Sequence, residues 1–82
     1  QMAFVWFEKA AMAGSAAGQY NLARLYEQGN QTPIDLVQAY VWMTLSNASG
    51  NPMAAAPAKQ LKAKLSPSEL EQADAMLKER NK

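Results

Sequence analysis

Ala3-Phe4-Val5-Trp6 and Ala39-Tyr40-Val41-Trp42 are two versions of one four-residue pattern, 36 residues apart. The chain has two tryptophans, and both fall in this register. The same offset brings Gly14 onto Gly50 and Leu25 onto Leu61. Chance seldom aligns the rarest residue, its preceding Ala-x-Val and a following glycine together, so the chain is built on a repeat. A looser echo at 34 residues sets Thr32-Pro33 against Ser66-Pro67 and reads as a shared helix-start signal.

Helix punctuation keeps the 36-residue period. Gly14 and Gly50 stand where a helix ends in a left-handed residue, and each is followed by a cap-type residue, Ser15 or Asn51. Thr32-Pro33-Ile34-Asp35 reads as an N-cap, a proline at the first helical position and an acidic residue in the first turn. Ser66-Pro67-Ser68-Glu69 is a capping box. These signals predict five helices, at about 2–13, 15–28, 33–48, 52–64 and 67–80, and no stretch alternates long enough to argue a strand.

Apolar spacing then predicts how the helices pack. Leu22, Leu25 and Tyr26 form one stripe, Ala54, Ala58, Leu61 and Leu65 a second, and Leu70, Ala73 and Leu77 a third. Helix 33–48 is apolar around most of its circumference and should be contacted on several sides. The opening helix, with Phe4, Val5, Trp6 and Phe7, has the same character. Alternation of all-round and single-stripe helices suits stacked antiparallel hairpins. The fold class is all-α, an α-solenoid of about five helices.

Composition excludes much chemistry. In 82 residues, 49% are apolar and 18% charged, with a net charge of +1. That suits a packed domain without the field that holds nucleic acid or an anionic membrane. Cysteine and histidine are both absent, which removes thiolate catalysis, the commonest general base and the commonest metal ligands. Glu8, Glu27 and Asp35 are scattered one per helix, and Glu69, Glu71 and Asp74 read as a solvated acidic start to the last helix. No phosphate-binding glycine loop and no His-Glu-x-x-His motif occurs. No catalytic residue, cofactor site or metal site is expected, and the chain is not expected to be an enzyme. No apolar run reaches the roughly 20 residues of a membrane span, and the opening residues do not form a signal peptide. Cytoplasm and periplasm both remain open.

The stretch from Ala10 to Gly29, with Gly14, Gly18, Leu22, Leu25, Tyr26 and Gly29 in place, resembles the Sel1-like repeat. That repeat is a tetratricopeptide-like α-solenoid unit. Asp35 with Ala39-Tyr40-Val41-Trp42 continues the resemblance, as does Ala3 to Ala11. It covers residues 1–51, and 52–82 resemble the degenerate closing helices of such arrays. The 36-residue spacing favours this family over the tetratricopeptide repeat, whose period is 34. Two departures stand out: Ala23 occupies a common glycine position, and Gln31 and Thr32 replace the usual second glycine and valine after Gly29. The loop there is expected to turn differently. The resemblance implies a right-handed superhelix and a single array. In it, residues 1–14 are the second helix of a truncated repeat, 15–50 a complete repeat, and 51–82 a degenerate C-terminal repeat of capping helices.

It also implies a protein-interaction scaffold, an adaptor that docks a peptide or protein on the inner face lined by the first helix of each pair. In this chain that helix is 15–28, and its residues off the apolar stripe are Gln19, Asn21, Arg24, Glu27 and Gln28. Arg24 is the first choice for a contact because it makes forked hydrogen bonds. Its alternative role is a pairing along the helix with Glu27 or Gln28. Tyr20 joins the candidates as a phenol at a helix edge, whereas Trp6 and Trp42 recur with the repeat and read as packing residues. A second reading makes the chain the C-terminal cap of a longer solenoid, with the opening helix covered by preceding repeats or, as a homo-oligomer, by another copy. A third and remoter one, a small helical nucleic-acid-binding module, draws on Lys59, Lys62 and Lys64 but lacks interleaved aromatics.

Overall fold

Five α-helices follow from those signals. The computed structural model describes residues 2–80, and the sequence expectations for residues 1, 81 and 82 lie outside it. The helices are α1 (Met2–Met12), α2 (Ala16–Gln28), α3 (Leu36–Ala48), α4 (Ala55–Lys64) and α5 (Pro67–Arg80), with a 3-10 turn at Pro52–Ala54 leading into α4. Every regular element among the described residues is helical.

The junctions before α2 and α4 are built alike. Gly14 has φ +94° and Gly50 φ +104°, a region that costs glycine little. Just beyond, the Ser15 N–H donates to the Ala10 carbonyl and the Asn51 N–H to the Ser46 carbonyl, each at 3.0 Å. The same two residues then cap the next helix. Ser15 Oγ accepts from the Gly18 N–H, and Asn51 Oδ1 from the Met53 N–H, both at 3.1 Å. A different device opens α5. The Ser66 N–H donates to Glu69 Oε1 at 2.9 Å and the Glu69 N–H to Ser66 Oγ at 3.2 Å, a reciprocal capping box. Ser66→Ala is therefore expected to lower the free energy of unfolding by about 1 kcal/mol, while Ser68→Ala leaves it unchanged. Urea titration followed by circular dichroism separates the two, and equal midpoints would show that the box contributes nothing.

The third helix starts later than the sequence predicts. Thr32 and Pro33 were expected to open it, but Asp35 is the N-cap and Leu36 the first helical residue. Asp35 Oδ1 accepts from the Gln38 N–H at 3.1 Å, while the Asp35 N–H donates to the Tyr26 carbonyl at 3.0 Å. That carbonyl is one of the unpaired acceptors in the last turn of α2, so pairing it holds Asp35 extended and delays the helix. Ile34 folds back over Gly29, where an added Cβ would lie 2.7 Å from its Cγ1. Gln31 stands at φ +70°, at the position where the sequence departs from the family's glycine. A non-glycine residue there is strained, and its side chain supplies a partial offset: Gln31 Oε1 accepts from the Phe4 N–H, an orphan donor in the first turn of α1, at 3.1 Å.

Packing centres on α3. It shares its broadest face with α2 and also meets α4, the 3-10 turn and α5, as its all-round apolar surface predicts. Ala39, Val41 and Met43 are fully buried, and so are Leu22 and Ala23 opposite them and Ala54 and Leu61 beyond. Buried Ser46 joins three segments, donating to the Ala16 carbonyl at 2.7 Å and accepting from Asn51 Nδ2 at 3.2 Å. The last helix lies chiefly on α3, with only minor contact to α4, so residues 55–80 do not close into a tight hairpin of their own.

The opening helix does not have the all-round cover expected of it. It packs on α2 along one side, where Ala10 meets Gly18 and Phe4 sets its ring edge-on to Tyr26 at 5.5 Å. Its other side is bare. Val5, Trp6 and Met12 are 45%, 69% and 64% exposed and lie on one helix face. Within the described residues Trp6 therefore does not pack as Trp42 does, because none of the described helices packs broadly against that face of α1. Trp42 is 3% exposed.

Candidate protein-binding face

The residues predicted to contact a partner fall together. Tyr20, Asn21, Arg24, Glu27 and Gln28 occur at spacings of one, three and four along α2, so they share one helix face, opposite buried Gly18, Leu22 and Leu25. Arg24 and Gln28 are exposed, and Tyr20, Asn21 and Glu27 are half-buried. Leu22 and Leu25 turn the helix by burying the other side, so this polar face points outward as a consequence of the core.

Arg24 does not depend on Glu27 or Gln28 to be placed. Its guanidinium lies over the ring of Tyr20, one turn back, at 5.8 Å from the centroid. A cation at that distance from an aromatic face is weakly attracted to it, which favours this placement of the long side chain. Tyr20 in turn packs against the core. The face thus carries a guanidinium, a carboxylate, two carboxamides and a phenol, a set suited to hydrogen-bonding a polypeptide. No group of three or more metal-ligating residues occurs among the described residues.

Gln19 belongs elsewhere. The sequence places it among the outward residues, but it is 5% exposed and its Nε2 donates to the Ala11 carbonyl at 3.2 Å. One position along a helix is a turn of about 100°, which carries Gln19 round to the α1 side. Its neighbour on that side, Tyr26, has its phenol raised above the usual tyrosine value by burial first and then by the charges of Glu8 and Asp35, with Arg80 acting in the opposite sense. A further contact went unread in the sequence: the Arg80 guanidinium lies 4.1 Å from the centre of the Trp42 ring, joining the end of α5 to α3. No local pattern could reveal it, because it depends on α5 crossing α3.

Comparison with known proteins agrees with this architecture. Residues 1–15 and 16–51 match the Sel1 repeat. The chain belongs to the Sel1 repeat family. It is also 40% identical, over 68 residues, to the alginate biosynthesis protein AlgK of Azotobacter vinelandii. That alignment takes in 83% of this chain and 15% of AlgK, so the chain corresponds to a small part of that relative. Sel1 repeats form helical solenoids and generally mediate protein–protein interaction. No helix among the described residues is long and apolar enough to cross a membrane.

Proposed function

We propose that this chain is a non-enzymatic scaffold that binds a peptide or protein on the outward, concave-side face of α2, with Arg24 as the central contact and Tyr20, Asn21, Glu27 and Gln28 around it. The observation that carries this reading is the placement of the Arg24 guanidinium over Tyr20. It presents a supported guanidinium in the middle of a polar stripe whose Arg24 and Gln28 are exposed. The likeness to AlgK supports a setting in alginate biosynthesis, with the chain holding proteins together.

A second reading rests on the bare Val5, Trp6 and Met12 face of α1. Here the chain is one part of a stack: that face is covered by another repeat or another copy, and α5, with exposed Glu71, Asp74, Lys78, Glu79 and Arg80, forms a water-facing side. One pull-down tests both. Partner capture by the wild-type chain is compared with capture by Arg24→Glu and by Trp6→Glu, two exposed changes that leave the core intact. Loss with Arg24→Glu alone supports the α2 face. Loss with Trp6→Glu alone supports the stack, and capture unchanged by Arg24→Glu overturns the first reading.

A further inference from the structure

A cleft of about 260 Å³ lies on the other side of α2 from the proposed binding face, between the α1–α2 turn, α3 and the end of α5. Its lining includes Met12, Gln19, Trp42, Leu45 and Arg80. Gln19 is the informative member. Its Nε2 is committed to the Ala11 carbonyl, which fixes the orientation of the amide, and among the described residues Gln19 Oε1 has no donor although it is shielded from solvent. A buried acceptor without a donor costs about 1–3 kcal/mol, so a native structure that keeps one calls for an explanation. Arg80 adds a fixed cation at the same cleft. Stacking on Trp42 immobilises the guanidinium plane and leaves its edge able to form charge-assisted bonds. The remaining walls, Met12 and Leu45, are apolar.

An orphan acceptor, an oriented cation and an apolar wall together specify a ligand with an N–H donor, an anionic group close to it and an apolar substituent. The C-terminal residue of a peptide has all three. We propose that this cleft captures a free peptide C-terminus. Arg80 takes the carboxylate, Gln19 Oε1 accepts the last amide N–H, and Met12 and Leu45 contact an apolar terminal side chain. Met12 is long and exposed, so its end can shift to admit the chain while Arg80 keeps its place on Trp42.

The test uses the whole chain labelled with nitrogen-15 and titrated with N-acetyl-Ala-Ala-Leu, either as the free acid or as its C-terminal amide. The acid is expected to shift the Trp42 indole N–H and the Gln19 side-chain amide with saturation, and the amide to bind at least about tenfold more weakly. Arg80→Gln, on the surface, should weaken the acid about tenfold and leave the amide unchanged. Gln19→Met should weaken both peptides, and if that buried change unfolds the chain, Arg80→Gln still decides. Equal binding of acid and amide overturns the proposal, as does an absence of saturation at about 10 mM. So do shifts confined to the Tyr20–Gln28 face, an outcome that would leave the scaffold reading standing.

Discussion

Trp42→Ala is expected to lower the free energy of unfolding by about 3–5 kcal/mol, and Trp6→Ala to change it by no more than about 0.5 kcal/mol. The two residues hold equivalent positions 36 apart, so the contrast isolates environment from identity. Trp42 is 3% exposed, belongs to the cluster with Leu22, Met43 and Leu61, and carries Arg80 on its ring. Removing the indole leaves a cavity where α2 and α3 meet and strips the end of α5 of its anchor. Trp6 is 69% exposed and leaves no cavity. A chain of this size seldom has more than about 3–5 kcal/mol from one core, so Trp42→Ala should be largely unfolded at 25 °C. Urea unfolding followed by far-ultraviolet circular dichroism reads both variants without relying on tryptophan emission. Equal losses would show that the bare face of α1 is covered in solution.

The second large effect is expected at Gly18. Helix propensity argues for replacing it, since glycine inside a helix is about 1 kcal/mol worse than alanine. Packing argues the other way. A Cβ at Gly18 would stand 2.7 Å from the Cβ of Ala10, 3.0 Å from the Ala11 nitrogen and 3.1 Å from the Ala10 carbonyl carbon. Two of those three atoms are backbone, which cannot rotate aside, so α1 must move away from α2 as a unit. Gly18→Val should therefore destabilise by about 1–3 kcal/mol or more, and Gly18→Ala should do so in the same sense by less. Thermal unfolding of both variants checks the sign. A gain in stability for Gly18→Ala would mean that the α1–α2 contact gives way at little cost.

Much of this architecture was legible because the signals are local. Gly14-Ser15 and Gly50-Asn51 each carry a helix stop and a helix start within a few residues, and Ser66 and Glu69 need only one another. The spacing of Tyr20, Asn21, Arg24, Glu27 and Gln28 likewise fixes their shared face once Leu22 and Leu25 are assigned to the core. What was not legible depended on distant partners. Thr32 and Asp35 are both competent caps, and a hydrogen bond to Tyr26 chose between them. Gln19 looks outward in a list of polar residues, yet one step of helical rotation buries it against Ala11. Trp6 and Trp42 share a local pattern, and only the arrangement of the other helices separates them.

The matched junctions at Gly14-Ser15 and Gly50-Asn51 have a consequence for how such a chain can grow. The backbone bond and the cap that define each turn are made within it, from Ala10 to Gly18 in one and from Ser46 to Met53 in the other, while Ser46 Oγ ties the two together through the Ala16 carbonyl. A gene segment running from Ala10 to Leu45 would therefore carry one finished connector, and its next copy would begin the following one. It could be duplicated or transplanted in units of 36 residues without inventing a new splice.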